Sequence, residues 1–215
     1  MLEKYAITIA TCVVAIIVGI ILGNSAVYLF NRIPGKWLCD YGQEPDEELL
    51  NPTSQRVKST PWKYYFSALF ILIGIKVAIE DPIYAVIVLA TCWLLLEMAI
   101  ADLKYMIVPD QFIILLMVAA IGFVPHHQDG PMAGIWGAIA GFLIMLLIGI
   151  LGKIMYRKDS LGGGDIKLFT ALGLCFGVRG VLWIFVLSTF VTAIHLAFLM
   201  IKKRIMPNFH ITVIS

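Results

Sequence analysis

The sequence predicts an all-α fold: a polytopic transmembrane helix bundle of about seven spans with its N-terminus outside. Three observations carry that expectation. Of the 215 residues, 60% are hydrophobic and only 14% charged, with a mean hydropathy of +0.92, outside the range of soluble domains. The apolar residues gather in runs of bilayer-crossing length, punctuated by proline, glycine and charge. With the N-terminus outside, only Lys4, Lys76 and Arg179 of the 16 Lys and Arg residues fall on the outer side, the asymmetry that the positive-inside rule describes.

The first span runs from Tyr5 to Phe30, flanked by Lys4 and Arg32; it lacks a small-residue cleavage site and reads as a retained span. A polar loop from Asn31 to Lys63 follows, with four prolines and the acids Asp46, Glu47 and Glu48. The second span, Tyr64 to Ile79, closes at Glu80-Asp81, and Pro82 opens the third, because proline fits a first helical turn. That span ends at Asp102. Pro109 and Asp110 start the fourth, which Pro125 stops, and the fifth runs from Met132 to Ile154. The sixth segment, between Lys167 and Arg179, is short enough for a re-entrant element, yet the charge asymmetry requires it to cross. The seventh runs from Val181 to Ile201. Ala133, Gly137 and Gly141 in the fifth span, with Gly173 and Gly177 in the sixth, sit at the four-residue spacing that lets helices approach closely.

A net charge of +2, dispersed over short loops, gives no footing for nucleic acid; the partner is the lipid bilayer. Cys12, Cys92 and Cys175 lie in apolar runs and Cys39 stands alone in the polar loop. That spacing builds neither a disulfide framework nor a cysteine metal site, and neither a metal nor a cofactor is expected.

Chemistry concentrates in two segments. Leu161-Gly162-Gly163-Gly164-Asp165-Ile166-Lys167 puts a carboxylate behind three glycines at the mouth of an apolar helix, and Asp102-Leu103-Lys104-Tyr105-Met106-Ile107-Val108-Pro109-Asp110 carries the other comparably placed acid. The predicted topology sends both to the cytosolic face. Two aspartates within hydrogen-bond reach share a proton, so one activates water while the other donates to a peptide carbonyl. By position alone, both are equally compatible with solvated acids at helix ends. Glu97 lies about 140° round the helix from Asp102 and is expected to be paired elsewhere in the membrane; His195 is expected to be hydrogen-bonded within the bundle.

Asp102-x6-Pro109-Asp110 followed by Gly162-Gly163-Gly164-Asp165-Ile166-Lys167 resembles the type IV prepilin peptidase family, membrane aspartyl peptidases that remove pilin leaders. Upstream, Gly23 to Pro34 is similar to the segment that ends the family's first span, at the glycine, the Arg32-x-Pro34 ending and the apolar positions between. The matches run in the family's order over most of the chain, which the resemblance treats as one peptidase domain, 1–215. It implies Asp102 and Asp165 as the catalytic pair, with Gly162, Gly163, Gly164, Lys167, Pro109 and Asp110 in support. Asp110 suits the helix dipole, and Lys167 either neutralises the site or snorkels. It also implies a prepilin or pseudopilin substrate and a multi-pass place in a prokaryotic cytoplasmic (inner) membrane.

Two departures stand out. Many bacterial members carry paired Cys-x-x-Cys motifs in the first cytosolic loop, linked to N-methylation of the new pilin N-terminus. Here loop 31–63 keeps Cys39 alone and reads as a reduced remnant, so cleavage without methylation is expected. The family also adds a helix after the last lysine-rich turn, for which residues 205–215 are too few. Gly-x-Gly-Asp is shared with presenilin-like and signal-peptide-peptidase-like intramembrane proteases, although no Tyr-Asp pair or Pro-Ala-Leu element occurs here. A transporter using the two aspartates as a proton relay is the non-enzymatic alternative.

Overall fold

The computed structural model describes residues 2–39, 45, 47–51, 55–157 and 161–205. Asp46, Lys158 and the tail beyond Ile205, which entered the sequence reading, lie outside them. The regular secondary structure of the described residues is all helical, with no strand among them: α1 (Leu2–Phe30), α2 (Glu47–Leu50), α3 (Ser59–Glu80), α4 (Pro82–Tyr105), α5 (Asp110–Phe123), α6 (Ala133–Tyr156) and α7 (Gly163–Ile205). They divide into two compact units, residues 1–126 and 127–215.

In the first unit, α1 and α3 cross with their backbones in contact. A methyl group on Gly19 would stand 2.7 Å from the Ile71 nitrogen, and one on Gly23 would strike the Ser67 backbone. This four-residue glycine pair was not assigned to packing from the sequence. Helix α4 joins at Gly74, where a methyl group would meet both Leu89 and Ala15 at ordinary van der Waals distance. As Pro82 predicts, α4 starts there, and Asp81 caps it by accepting from the N–H groups of Ile83 (2.9 Å) and Tyr84 (3.1 Å). The other Asp81 oxygen lies 3.1 Å from His126 Nε2, and the His126 ring stacks on Tyr84 at 4.5 Å. The start of α4 is thereby tied to the turn that ends α5.

In the second unit, α6 and α7 pack through the small residues picked out in the sequence: a methyl group on either Gly137 or Gly173 would collide with the other's carbonyl oxygen. Gly141 meets both the Phe169 carbonyl and the Val181 side chain, and the Phe169 and Phe185 rings are 6.4 Å apart. Sixteen residues of straight helix would separate those rings by about 24 Å. The chain therefore doubles back at Gly177, whose φ of 69° and ψ of −176° are glycine territory. Helix α7 is thus two arms, 163–176 and 178–205.

Five helices are long and apolar enough to cross a membrane, with Asp110–His126 a shorter apolar helix. The count differs from seven for two reasons. Helix α5 has 14 residues, about 21 Å of rise, and α7 counts once despite its reversal. The apolar surface agrees with a lipid environment. Trp183, Phe190, Ile194, Phe198 and Met200 on the second arm of α7 are all exposed, which water would penalise and hydrocarbon does not.

Candidate active site

Asp102 projects from the last full turn of α4 and is exposed. Its backbone carbonyl accepts the N–H of Met106 at 2.8 Å, and Met106 ends the helix in the left-handed region at φ 55°. The chain then extends to Pro109, which is fully buried, and turns into α5. Asp110 is half-buried in the first turn of α5, next to the positive end of that helix's dipole. Asp102, Pro109 and Asp110 thus share one turn of the first unit.

The second segment opens α7. Gly163, Gly164 and Asp165 form its first turn, with the Asp165 N–H donating to the Gly162 carbonyl at 3.1 Å. A methyl group on Gly162 would sit 3.5 Å from the Asp165 carboxylate, and one on Gly163 would meet nothing within 4 Å. Asp165 is half-buried and Lys167 exposed. None of the three glycines has positive φ; among the described glycines that conformation belongs to Gly130 and Gly177. The sharp bend that glycine permits therefore lies a dozen residues on from Asp165, and Gly162 and Gly163 instead leave the approach to the carboxylate uncrowded.

Two expectations are corrected. Glu97 is fully buried on α4 with neither carboxylate oxygen hydrogen-bonded among the described residues, so it is not paired. It does face away from Asp102, which is exposed while Glu97 is not. His195 is exposed on the outer arm of α7 and makes no hydrogen bond among the described residues, because that arm has left the packed part of its unit. Arg56 was expected only as one of the cytosolic cations. It is 5% exposed and holds the end of α1 and the loop beyond it.

Among the described residues no group of three or more His, Cys, Asp or Glu is placed to hold a metal ion. Each segment supplies one carboxylate at the end of an apolar helix.

The profile of the type IV leader peptidase family matches residues 88–197, just over half of the chain and inclusive of both aspartates. The chain belongs to the type IV leader peptidase family. Among curated proteins, it is similar to the prepilin leader peptidase/N-methyltransferase of Vibrio cholerae, 30% identical over 125 residues, covering 58% of this chain and 49% of that protein. The protein of that name from Bacillus subtilis is 29% identical over 141 residues, 65% of this chain and 54% of the relative. The one from Klebsiella pneumoniae is 33% identical over 111 residues, 51% of this chain and 48% of the relative. The chain spans about half the length of the curated relatives it matches. No solved structure matches it.

Proposed function

We propose that this chain is a membrane aspartyl endopeptidase that removes the leader peptide of type IV prepilin-like proteins at the cytosolic membrane face. One observation carries the reading: the family match runs continuously from before Asp102 to beyond Asp165 and so takes in both acid-bearing segments. The substrate is a prepilin or pseudopilin, and the site is an inner membrane crossed about seven times with the N-terminus outside. In that arrangement both aspartates reach the cytosolic face, and the whole chain works as one peptidase.

The chemistry follows from two carboxyl groups sharing one proton. The ionised Asp takes a proton from water as the oxygen attacks the scissile carbonyl. The protonated partner donates to the carbonyl oxygen, giving a tetrahedral intermediate. Its collapse breaks the C–N bond as the proton taken from water passes to the leaving amine, while the other carboxylate takes back a proton from a hydroxyl of the intermediate, which restores the shared proton. Asp102 and Asp165 hold the two roles. Gly162 and Gly163 leave room for an extended peptide beside Asp165, Asp110 and Pro109 fix the turn after Asp102, and Lys167 sets the local charge.

The relatives' names also include N-methyltransferase. Loop 31–63 carries Cys39 as its single cysteine, and this reading assigns the chain cleavage without methyl transfer. Incubating the purified chain with a prepilin and determining the new N-terminus by mass spectrometry tests both parts. A product cut at the leader and unmethylated in the presence of S-adenosylmethionine is expected. An uncut substrate overturns the peptidase reading, and a methylated product overturns the assignment of cleavage alone.

A further inference from the structure

Arg56 is a buried cation in a loop that should need none. Its guanidinium donates to the Ile33 carbonyl at 2.6 Å, the Leu49 carbonyl at 3.2 Å and the Phe30 carbonyl at 3.4 Å. Phe30 is the last residue of α1 and Leu49 lies in the last turn of α2, so one positive charge sits at two helix C-termini, where unpaired carbonyls and the dipole favour it. Beside it, the Asn31 side chain bonds the Val57 backbone in both directions, accepting at 2.8 Å and donating at 3.0 Å. Gly35 lies against the Leu49 backbone, and Leu38 is 1% exposed. The loop is thus folded around a fixed point.

From that point it reaches the acid-bearing turn. Trp37, between the anchored Ile33 and the buried Leu38, meets Phe112 edge-on at 6.2 Å. Phe112 is buried in the first turn of α5 and donates its N–H to the carbonyl of Pro109 at 3.1 Å. Everything from Arg56 to Pro109 is therefore connected by direct contacts, and Pro109 follows Asp102 on the same turn.

We infer that Arg56 is a positioning residue: it holds residues 31–38, with Leu49 and Val57, as a brace that acts through Trp37 and Phe112 to fix the turn carrying Asp102. The catalytic part of this inference rests on the peptidase reading; the mechanical part does not. A lysine cannot substitute, because one ammonium cannot serve three carbonyls in the planar fork that a guanidinium offers. Because misplacing a catalytic group by about 1 Å costs up to ~100-fold, loosening the brace should lower kcat while leaving KM unchanged.

The test uses the full chain in detergent, as wild type, Arg56→Ala, Arg56→Lys, Trp37→Ala and the Arg56/Trp37 double variant, with hydrogen exchange and prepilin cleavage measured on each. Arg56→Ala and Arg56→Lys should raise exchange in both 33–38 and 106–113 and leave the interior of α3 unchanged. Trp37→Ala should raise it in 106–113 alone. Each should lower kcat by ~10- to 100-fold, and the double variant should be no worse than the poorer single. If the Arg56 variants do not accumulate, Trp37→Ala carries the test by itself. Faster exchange in 33–38 with wild-type exchange in 106–113, wild-type kcat in Trp37→Ala, or full rescue by lysine would each overturn the brace. If wild type cleaves nothing, the peptidase reading falls, and the coupling of exchange between 33–38 and 106–113 still decides whether the brace exists.

Discussion

Met106 donates its backbone N–H to the carbonyl of Asp102 at 2.8 Å while standing in the left-handed region at φ 55°. Arg157 does the same for Lys153 at 2.9 Å and φ 54°, and these are the two positive-φ non-glycine residues among those described. Each terminates the helix immediately before an acid-bearing segment or the turn that completes it. The C′ position of a helix usually belongs to glycine, since an L side chain there costs about 1–2 kcal/mol.

Met106→Gly should therefore raise stability by about 1 kcal/mol, seen as a higher thermal midpoint in detergent. Met106→Val, β-branched in the same conformation, should lower it by at least as much. An unchanged midpoint in both variants would mean that the turn after Asp102 carries no such cost.

The cap at Asp81 gives a pH prediction. N–H donation from Tyr84, then the contact with His126, then donation from Ile83, hold its carboxyl below the ordinary 3.8. A folded value below the unfolded one means the contribution is complete above about pH 4 and is lost as the pH falls through the folded value. Asp81→Asn should flatten the loss of stability between pH 5 and pH 2 without changing cleavage at neutral pH. An Asn variant with the wild-type acid slope would contradict the assignment.

Glycines on α6 and α7 should differ sharply in tolerance. Gly137→Ala puts a methyl group into the Gly173 carbonyl and should cost about 1–3 kcal/mol, with proteolysis of the second unit as the readout. Gly163→Ala meets open space at an ordinary φ and should leave stability within about 0.5 kcal/mol. Equal tolerance at both positions would refute the close crossing.

What the sequence made legible was local and periodic. Pro82 and Asp81 announced the start of α4, and the four-residue spacings of Gly137 with Gly141 and of Gly173 with Gly177 pointed to the close crossing. The break in α7 was expected near Arg179 and falls at Gly177, two residues earlier, because the doublet of small residues serves the crossing and the reversal together. Gly19 escaped notice because its neighbours are uniformly apolar, and Gly23 was read for its place in the family resemblance and not for packing. Arg56 escaped for the opposite reason: counted as one more cytosolic cation, it differs from Lys58 only in having carbonyls folded around it, and no spacing records those. Met106 and Arg157 occupy positions where a glycine would have announced the turn, so their conformation had no signal to read.

The shared-proton pair is tested by leader cleavage with purified Asp102→Asn, Asp165→Asn and the double variant, each checked for normal membrane insertion. Asparagine keeps the shape and removes the titrating proton, so each single change should abolish cleavage, and the double variant should be no worse than either, as for groups that act as one unit. Near wild-type cleavage by Asp165→Asn, or losses that multiply between the two sites, would contradict the shared-proton aspartyl mechanism.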